Sequence, residues 1–168
     1  GGQFPIKRVI GDAVEVSAHI FADGHDELSG DLLYRHQQEN QWHAVPFVPD
    51  VNDEWKAGFT VEQTGSYLYS ARAWIDAFGT WQHDLRKKCE AGQKVDVDIQ
   101  IGCRLMAEAI ERADKPDAET ITYYLHQLQS ETDALEALLI AEDERQQVLV
   151  PVRPICDYLG IDWSAQYR

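Results

Sequence analysis

Apolar and polar positions alternate with period two along the first half of the chain and recur near period 3.6 along the second, which predicts strands followed by helices. Val14, Val16, Ala18 and Ile20 point one way from a strand and Glu15, Ser17 and His19 the other, until Asp23-Gly24 breaks the run. Further strands are expected over Leu32–His36, Trp42–Val48, Trp55–Val61, Tyr67–Ile75 and Thr80–Leu85. Gln38-Glu-Asn-Gln41, Pro49-Asp-Val-Asn-Asp53 and Gln63-Thr-Gly65 supply the turns. Six short strands at this spacing predict a mainly β fold, an immunoglobulin-like antiparallel β-sandwich one strand short of the usual seven or so.

After Gly92 the helical period takes over. Ile99, Cys103, Met106, Ile110 and Ala113 share one face, and Asp114-Lys-Pro-Asp117 ends that helix and offers Asp117 as the next N-cap. Ile121, Tyr124, Leu125 and Leu128 make a second stripe. Ser130-Glu-Thr-Asp133 reads as a capping box with Asp in place of Glu, ahead of a third helix carrying Leu135, Leu138 and Leu139. Amphipathic helices must bury their stripes, so these are expected to form a small helical bundle. Val148-Leu-Val-Pro-Val152 returns to strand character and suits an edge position, because Pro151 cannot donate a ladder hydrogen bond. The expected organisation is therefore a sandwich over residues 1–92, a helical insertion over 93–145, and a closing strand or unrelated tail over 146–168.

A chain of 168 residues buries one core, or one core with a small appendage. It cannot hold a (β/α)₈ barrel, which takes roughly 250 residues. It begins Gly1-Gly2 without an initiating Met and stops at Tyr167-Arg168, so it is expected to be an excerpt of a longer polypeptide. The formal charge of -14 argues against a nucleic-acid partner, whose phosphates call for clustered Lys and Arg. Much of that charge falls between Val95 and Glu144, with thirteen Asp or Glu against three Lys or Arg, and reads as a solvated helical face. Cys89, Cys103 and Cys156 are odd in number and lack C-x-x-C spacing, which suggests neither a disulfide framework nor a zinc site and fits a reducing, cytoplasmic compartment. No apolar run approaches the 18 or so residues of a membrane span, so no membrane partner is expected.

The chemistry-bearing residues give little purchase. There is no G-x-S-x-G elbow and no phosphate loop of the G-x-x-x-x-G-K or G-x-G-x-x-G type, and the six His share no ligand spacing. Asp23, His25, Asp26, Glu27 and Asp31 crowd one loop but lack the EF-hand pattern, so a solvated turn is the ordinary reading. Twenty-nine scattered acids nominate no acid–base pair. Hence no catalytic, cofactor or metal residue is assigned. Trp42, Trp55, Trp74 and Trp81, with Tyr67 and Tyr69, admit two readings: core packing, or stacking platforms for the apolar faces of sugar rings. Trp55 and Trp74 are expected in the core, whereas Trp81, at the start of its expected strand, and Trp42 are the candidates for sugar contact.

Four segments follow one another in a telling order: Gly11-Asp-Ala-Val-Glu-Val-Ser-Ala-His-Ile-Phe-Ala-Asp-Gly-His-Asp26, Asn52-Asp-Glu-Trp55, Tyr67-Leu-Tyr-Ser-Ala-Arg-Ala-Trp-Ile-Asp76 and Thr80-Trp-Gln-His-Asp-Leu-Arg-Lys-Lys88. Together they resemble the N-terminal domain of the maltose-1-phosphate-dependent maltosyltransferases, α-amylase-superfamily enzymes that extend α-1,4-glucans. Phe4-Pro-Ile-Lys-Arg-Val-Ile-Gly11 is similar to that family's opening strand, and Ile99-Gln-Ile-Gly-Cys-Arg-Leu-Met-Ala-Glu-Ala-Ile110 to the start of its helical insertion, so the resemblance covers about residues 3–142. It implies a sandwich interrupted by helices, architectural and dimerising in role, whose partners are the catalytic barrel of the same polypeptide, a second subunit and an α-glucan. The implied parent transfers maltosyl units with retention, through an Asp nucleophile and a Glu acid/base in that barrel; neither has a counterpart here. A carbohydrate-binding module is the alternative. From Val150 to Arg168 the chain instead resembles the start of a phage antirepressor N-terminal domain, which leaves open a fusion acting through protein binding.

Overall fold

The computed structural model describes residues 5–131 and 133–141. They fall into two compact units, one of residues 5–24 and 28–75, the other of residues 25–27, 76–131 and 133–141.

The first unit holds six strands in two antiparallel three-stranded sheets. Strands β1 (Ala13–His19), β5 (Glu54–Thr60) and β4 (Val48–Pro49) form one in the order β1-β5-β4; β3 (His43–Pro46), β2 (Leu28–His36) and β6 (Tyr67–Ile75) form the other in the order β3-β2-β6. The single strand expected over Trp42–Val48 is two strands in different sheets. The chain crosses between them at Phe47, which is buried and whose N–H donates to Gly30 O at 2.8 Å. Between β4 and β5, Asn52 and Asp53 take φ of 57° and 59°, a left-handed pair that short polar side chains tolerate and that suits a tight hairpin.

The alternation predicted for β1 holds: Val14 and Ile20 are buried, and Val16 and Ala18 pack beside them. With Leu32, Phe47, Phe59 and Val61 they form one core fed by both sheets, where Tyr34 stacks on Phe59 at 4.3 Å between centroids. His36, 2 % exposed, belongs to the same interior. Its Nδ1 accepts from Gln38 N–H at 3.3 Å, so Nε2 carries the proton and donates to Thr64 O at 3.2 Å. Gly65, at φ 137°, lies against that imidazole, and a Cβ there would enter the ring.

The second unit is helical: α1 (Ala77–Glu90), α2 (Asp96–Ile110), α3 (Lys115–Ser130) and α4 (Ala134–Ala141). Helix α1 overturns the expected strand over Thr80–Leu85. Asp76 caps it, its Oδ1 accepting from Gly79 N–H at 2.8 Å, and Phe78, Trp81 and Leu85 then bury one face at i, i+3 and i+7. The expected stripe of α2 lies in or against the core, joined by Gly102 and Ala109, and Ile121, Tyr124, Leu125 and Leu128 of α3 are all buried.

Two caps sit elsewhere than predicted. Asp114, not Asp117, caps α3, accepting from Asp117 N–H at 3.1 Å; Pro116 falls in the first turn, where its missing N–H costs nothing. Asp133, not Ser130, caps α4, accepting from Glu136 N–H at 3.2 Å, while Ser130 closes α3. In α4 the buried residues are Ala137 and Ala141, and Leu139 is 64 % exposed. The side chain of Leu135, the strand expected at Val148–Val152, Cys156 and the tail segment resembling an antirepressor lie outside the described residues.

Trp81 is the wedge between α1 and α2. It is 5 % exposed, meets Phe78 at 5.1 Å between centroids, and donates its indole N–H to Asp98 O at 2.7 Å. The ring lies where a Cβ on Gly102 would have to be. Gly102→Ala would ordinarily gain about 1 kcal/mol of helix propensity. Here it should instead lose about 1–3 kcal/mol to overpacking. Urea denaturation of Gly102→Ala with and without Trp81→Phe measures this. The smaller ring should recover much of the loss, giving a coupling energy above about 0.5 kcal/mol.

Candidate functional site

Strand β2 is the central strand of its sheet and sends alternate side chains to opposite faces. Leu28, Leu32 and Tyr34 go to the core, so Ser29, Asp31, Leu33 and Arg35 form the outer face. The register with β6 places Trp74 beside Ser29, Arg72 beside Asp31, Ser70 beside Leu33 and Leu68 beside Arg35 on that face. The register with β3 adds Ala44 next to Leu33.

Two aromatic–cation pairs mark the ends of this surface. At one, the Arg35 guanidinium carbon lies 4.9 Å from the centroid of Trp42; at the other, that of Arg72 lies 5.6 Å from Trp74. Such contacts contribute about 0.5–1 kcal/mol at partly exposed sites. Arg72 is held in place by Asp31, whose Oδ2 accepts from both Nη2 and Nε at 2.6 and 3.0 Å. Arg35 donates through Nη1 to Glu39 O at 2.7 Å, and its Nε has no partner among the described residues.

The predicted site residues therefore part company. Trp42 is half-buried on the outer sheet face, as a sugar-contact candidate requires. Trp81 is corrected: it lies in a helix rather than at a strand start, and its indole is enclosed. Trp74, expected in the core, faces outward, because Tyr67 sets the phase of β6 by packing inward against Phe59. Trp55 alone of the two expected core tryptophans packs against the sheet core. Tyr67 is likewise structural, its Oη accepting from the N–H groups of Glu62 and Gln63.

Other candidate chemistry stays dispersed. Among the described residues no three His, Cys, Asp or Glu are placed to hold a metal ion, and no helix is long and apolar enough to cross a membrane. Burial pushes the Cys103 thiol up, away from the thiolate that nucleophilic chemistry needs. A shallow depression on α3, lined by Pro116, Glu119, Thr120, Tyr123 and Tyr124, gathers one carboxylate and no second acid or histidine to work with it.

Residues 1–155 match the family described as alpha-1,4-glucan:maltose-1-phosphate maltosyltransferase, domain N/S. Curated relatives carry the name alpha-1,4-glucan:maltose-1-phosphate maltosyltransferase. That of Chlorobaculum tepidum is 44 % identical over 125 residues, covering 74 % of this chain and 19 % of the relative. That of Salinibacter ruber is 39 % identical over 128 residues, again 74 % and 19 %. That of Burkholderia pseudomallei is 38 % identical over 112 residues, 67 % and 10 %. The chain thus spans about a fifth or less of the length of these relatives.

The most enclosed carboxylate with a cationic partner is Asp98, in the first turn of α2, where Lys88 Nζ reaches its Oδ1 at 2.6 Å. The hydrogen bond to Asp98 holds the Lys88 ammonium above its ordinary value of 10.5, against a smaller opposing desolvation. The partners are unequal, since the Asp98 side chain is 9 % exposed and that of Lys88 is 42 %. Lys88→Met should therefore cost more, about 1–3 kcal/mol, by leaving a buried carboxylate unpaired. Asp98→Asn frees an ammonium that water can solvate and should cost about 1 kcal/mol or less. Because the lysine value is raised on folding, its stabilisation is complete below the ordinary value of 10.5 and fades as pH climbs through the folded value. Thermal melts from pH 8 to 12 should show wild type converging on Lys88→Met only at the alkaline end.

Proposed function

We propose that this chain, which belongs to the domain N/S family of the alpha-1,4-glucan:maltose-1-phosphate maltosyltransferases, is a non-catalytic accessory domain that braces the catalytic part of the same polypeptide and contributes to subunit association. The observation that carries this reading is what the ordered carboxylates do. Asp31 holds Arg72, Asp50 holds Lys56, Asp98 holds Lys88, and Asp76, Asp114 and Asp133 cap helices. Each is engaged by a cation or a backbone N–H of the fold itself, which supports a structural role for these carboxylates. The chain's small share of its relatives' length fits a catalytic barrel elsewhere in the polypeptide.

In this reading the whole enzyme passes maltosyl units from maltose-1-phosphate to an α-1,4-glucan, in a cytoplasm whose reducing conditions suit the Cys103 thiol. The two sheets form an immunoglobulin-like sandwich, supported by the step from one sheet to the other at Phe47. The helices from Ala77 onward form the helical insertion.

The test is direct. The 168-residue chain, incubated with maltose-1-phosphate and maltohexaose, should release no inorganic phosphate above a buffer control. Phosphate release that scales with protein concentration would place a glycosyl-transfer site within this chain and sink the accessory reading.

A further inference from the structure

We propose that the outer face of the β3-β2-β6 sheet binds a neutral α-1,4-glucan chain, with Trp42 and Trp74 as stacking platforms at its two ends. The proposal rests on the reading of the chain as part of a glucan-extending enzyme.

Four observations converge on it. First, both indoles are half-buried on a face that takes no part in the sheet core, where their area would otherwise be best used. Each has a guanidinium near its ring, which fixes its tilt.

Second, the spacing suits a chain rather than a single sugar. Trp74 is in register with Ser29 and Trp42 lies beside Arg35, six positions further along β2, or about 20 Å at roughly 3.4 Å per residue. That span takes several linked glucosyl units.

Third, the floor between the platforms combines the small or apolar Leu33, Ala44 and Ser70 with a single ion pair, Asp31–Arg72. A protein interface would call for a continuous packed centre in that place. A pyranose chain touching down at both ends needs only clearance.

Fourth, the Asp31–Arg72 couple uses one carboxylate oxygen for both of its hydrogen bonds. Asp31 Oδ1 and Arg72 Nη1 are left without a hydrogen bond among the described residues, an acceptor beside a donor, which matches a pair of neighbouring sugar hydroxyls. Of the charges on the face, Arg72 and Asp31 pair with each other and Arg35 leaves a net of +1, a weak draw for a polyanion.

Titration of the ¹⁵N-labelled 168-residue chain with maltoheptaose should shift the indole N–H resonances of Trp42 and Trp74 and leave that of Trp81 in place. Trp42→Ala and Trp74→Ala should each raise the dissociation constant roughly tenfold, the effect of losing one good stacking contact. Far-UV circular dichroism should be unchanged, since neither ring supports the core; the unsubstituted chain's own resonance shifts keep the test decisive should either variant unfold. Four outcomes overturn the proposal: silence of both indoles at millimolar maltoheptaose, binding that survives both substitutions, an equal response to cellohexaose, or indole shifts that follow protein concentration without sugar, which would make the face a contact between copies. None of these touches the accessory reading, which the phosphate-release assay alone decides.

Discussion

A β-strand can give only every second side chain to a core, and β2 shows what this rule imposes on the strand unit. As the middle strand of its sheet it cannot rotate to hide its outer residues, because both edges are fixed by ladders to β3 and β6. Once Leu32 is committed to the interior, Asp31, Leu33 and Arg35 must face outward together, and the registers bring Arg72, Trp74 and Trp42 to them. The proposed glucan surface is thus the obverse of the core. Its members are not neighbours in sequence, and they are assembled by the same hydrogen bonds that hold the sheet.

The helical unit is organised differently, around one large side chain. Trp81 fills the space between α1 and α2 because Gly102 presents no side chain there, and its indole N–H is satisfied by the carbonyl of Asp98. The same residue then offers its carboxylate to Lys88. One turn of α2 thereby serves a packing contact, a hydrogen bond and an ion pair to a single neighbouring helix. This ties Trp81 to structure and removes it from the surface.

Much of this was legible in the sequence, and the exceptions have identifiable causes. The alternation of Val14 to Ile20 and the stripes of α2 and α3 could be read directly, since one phase of each is apolar and the other polar. Residues 80–85 satisfied two periods at once. Trp81, His83 and Leu85 alternate as a strand would, while Phe78, Trp81 and Leu85 repeat as a helix does, and the cap at Asp76 was the signal that separates them. Strand β6 carries aromatic residues in both phases, so composition could not say whether Trp74 or Tyr67 turns inward; only packing against Phe59 decides. Helix α4 is rich in apolar residues, and its fully buried positions are the small Ala137 and Ala141, with Leu138 packed beside them and Leu139 outside. The outer sheet face was invisible for a simpler reason, namely that strand register is not written in any one strand.

The crossing at Phe47 reaches beyond topology. With one buried residue between the last rung of one ladder and the first rung of the other, β3 cannot fray without pulling on β4, and neither can move without drawing Phe47 out of the core. The two sheets are thereby joined into a single cooperative unit, in which partial opening of one has no cheap form. Such coupling matters for a surface whose two platforms stand about 20 Å apart. It ties β3, at whose start Trp42 stands, to the core, so that on the proposed surface the cost of ordering falls mainly on a long, flexible ligand.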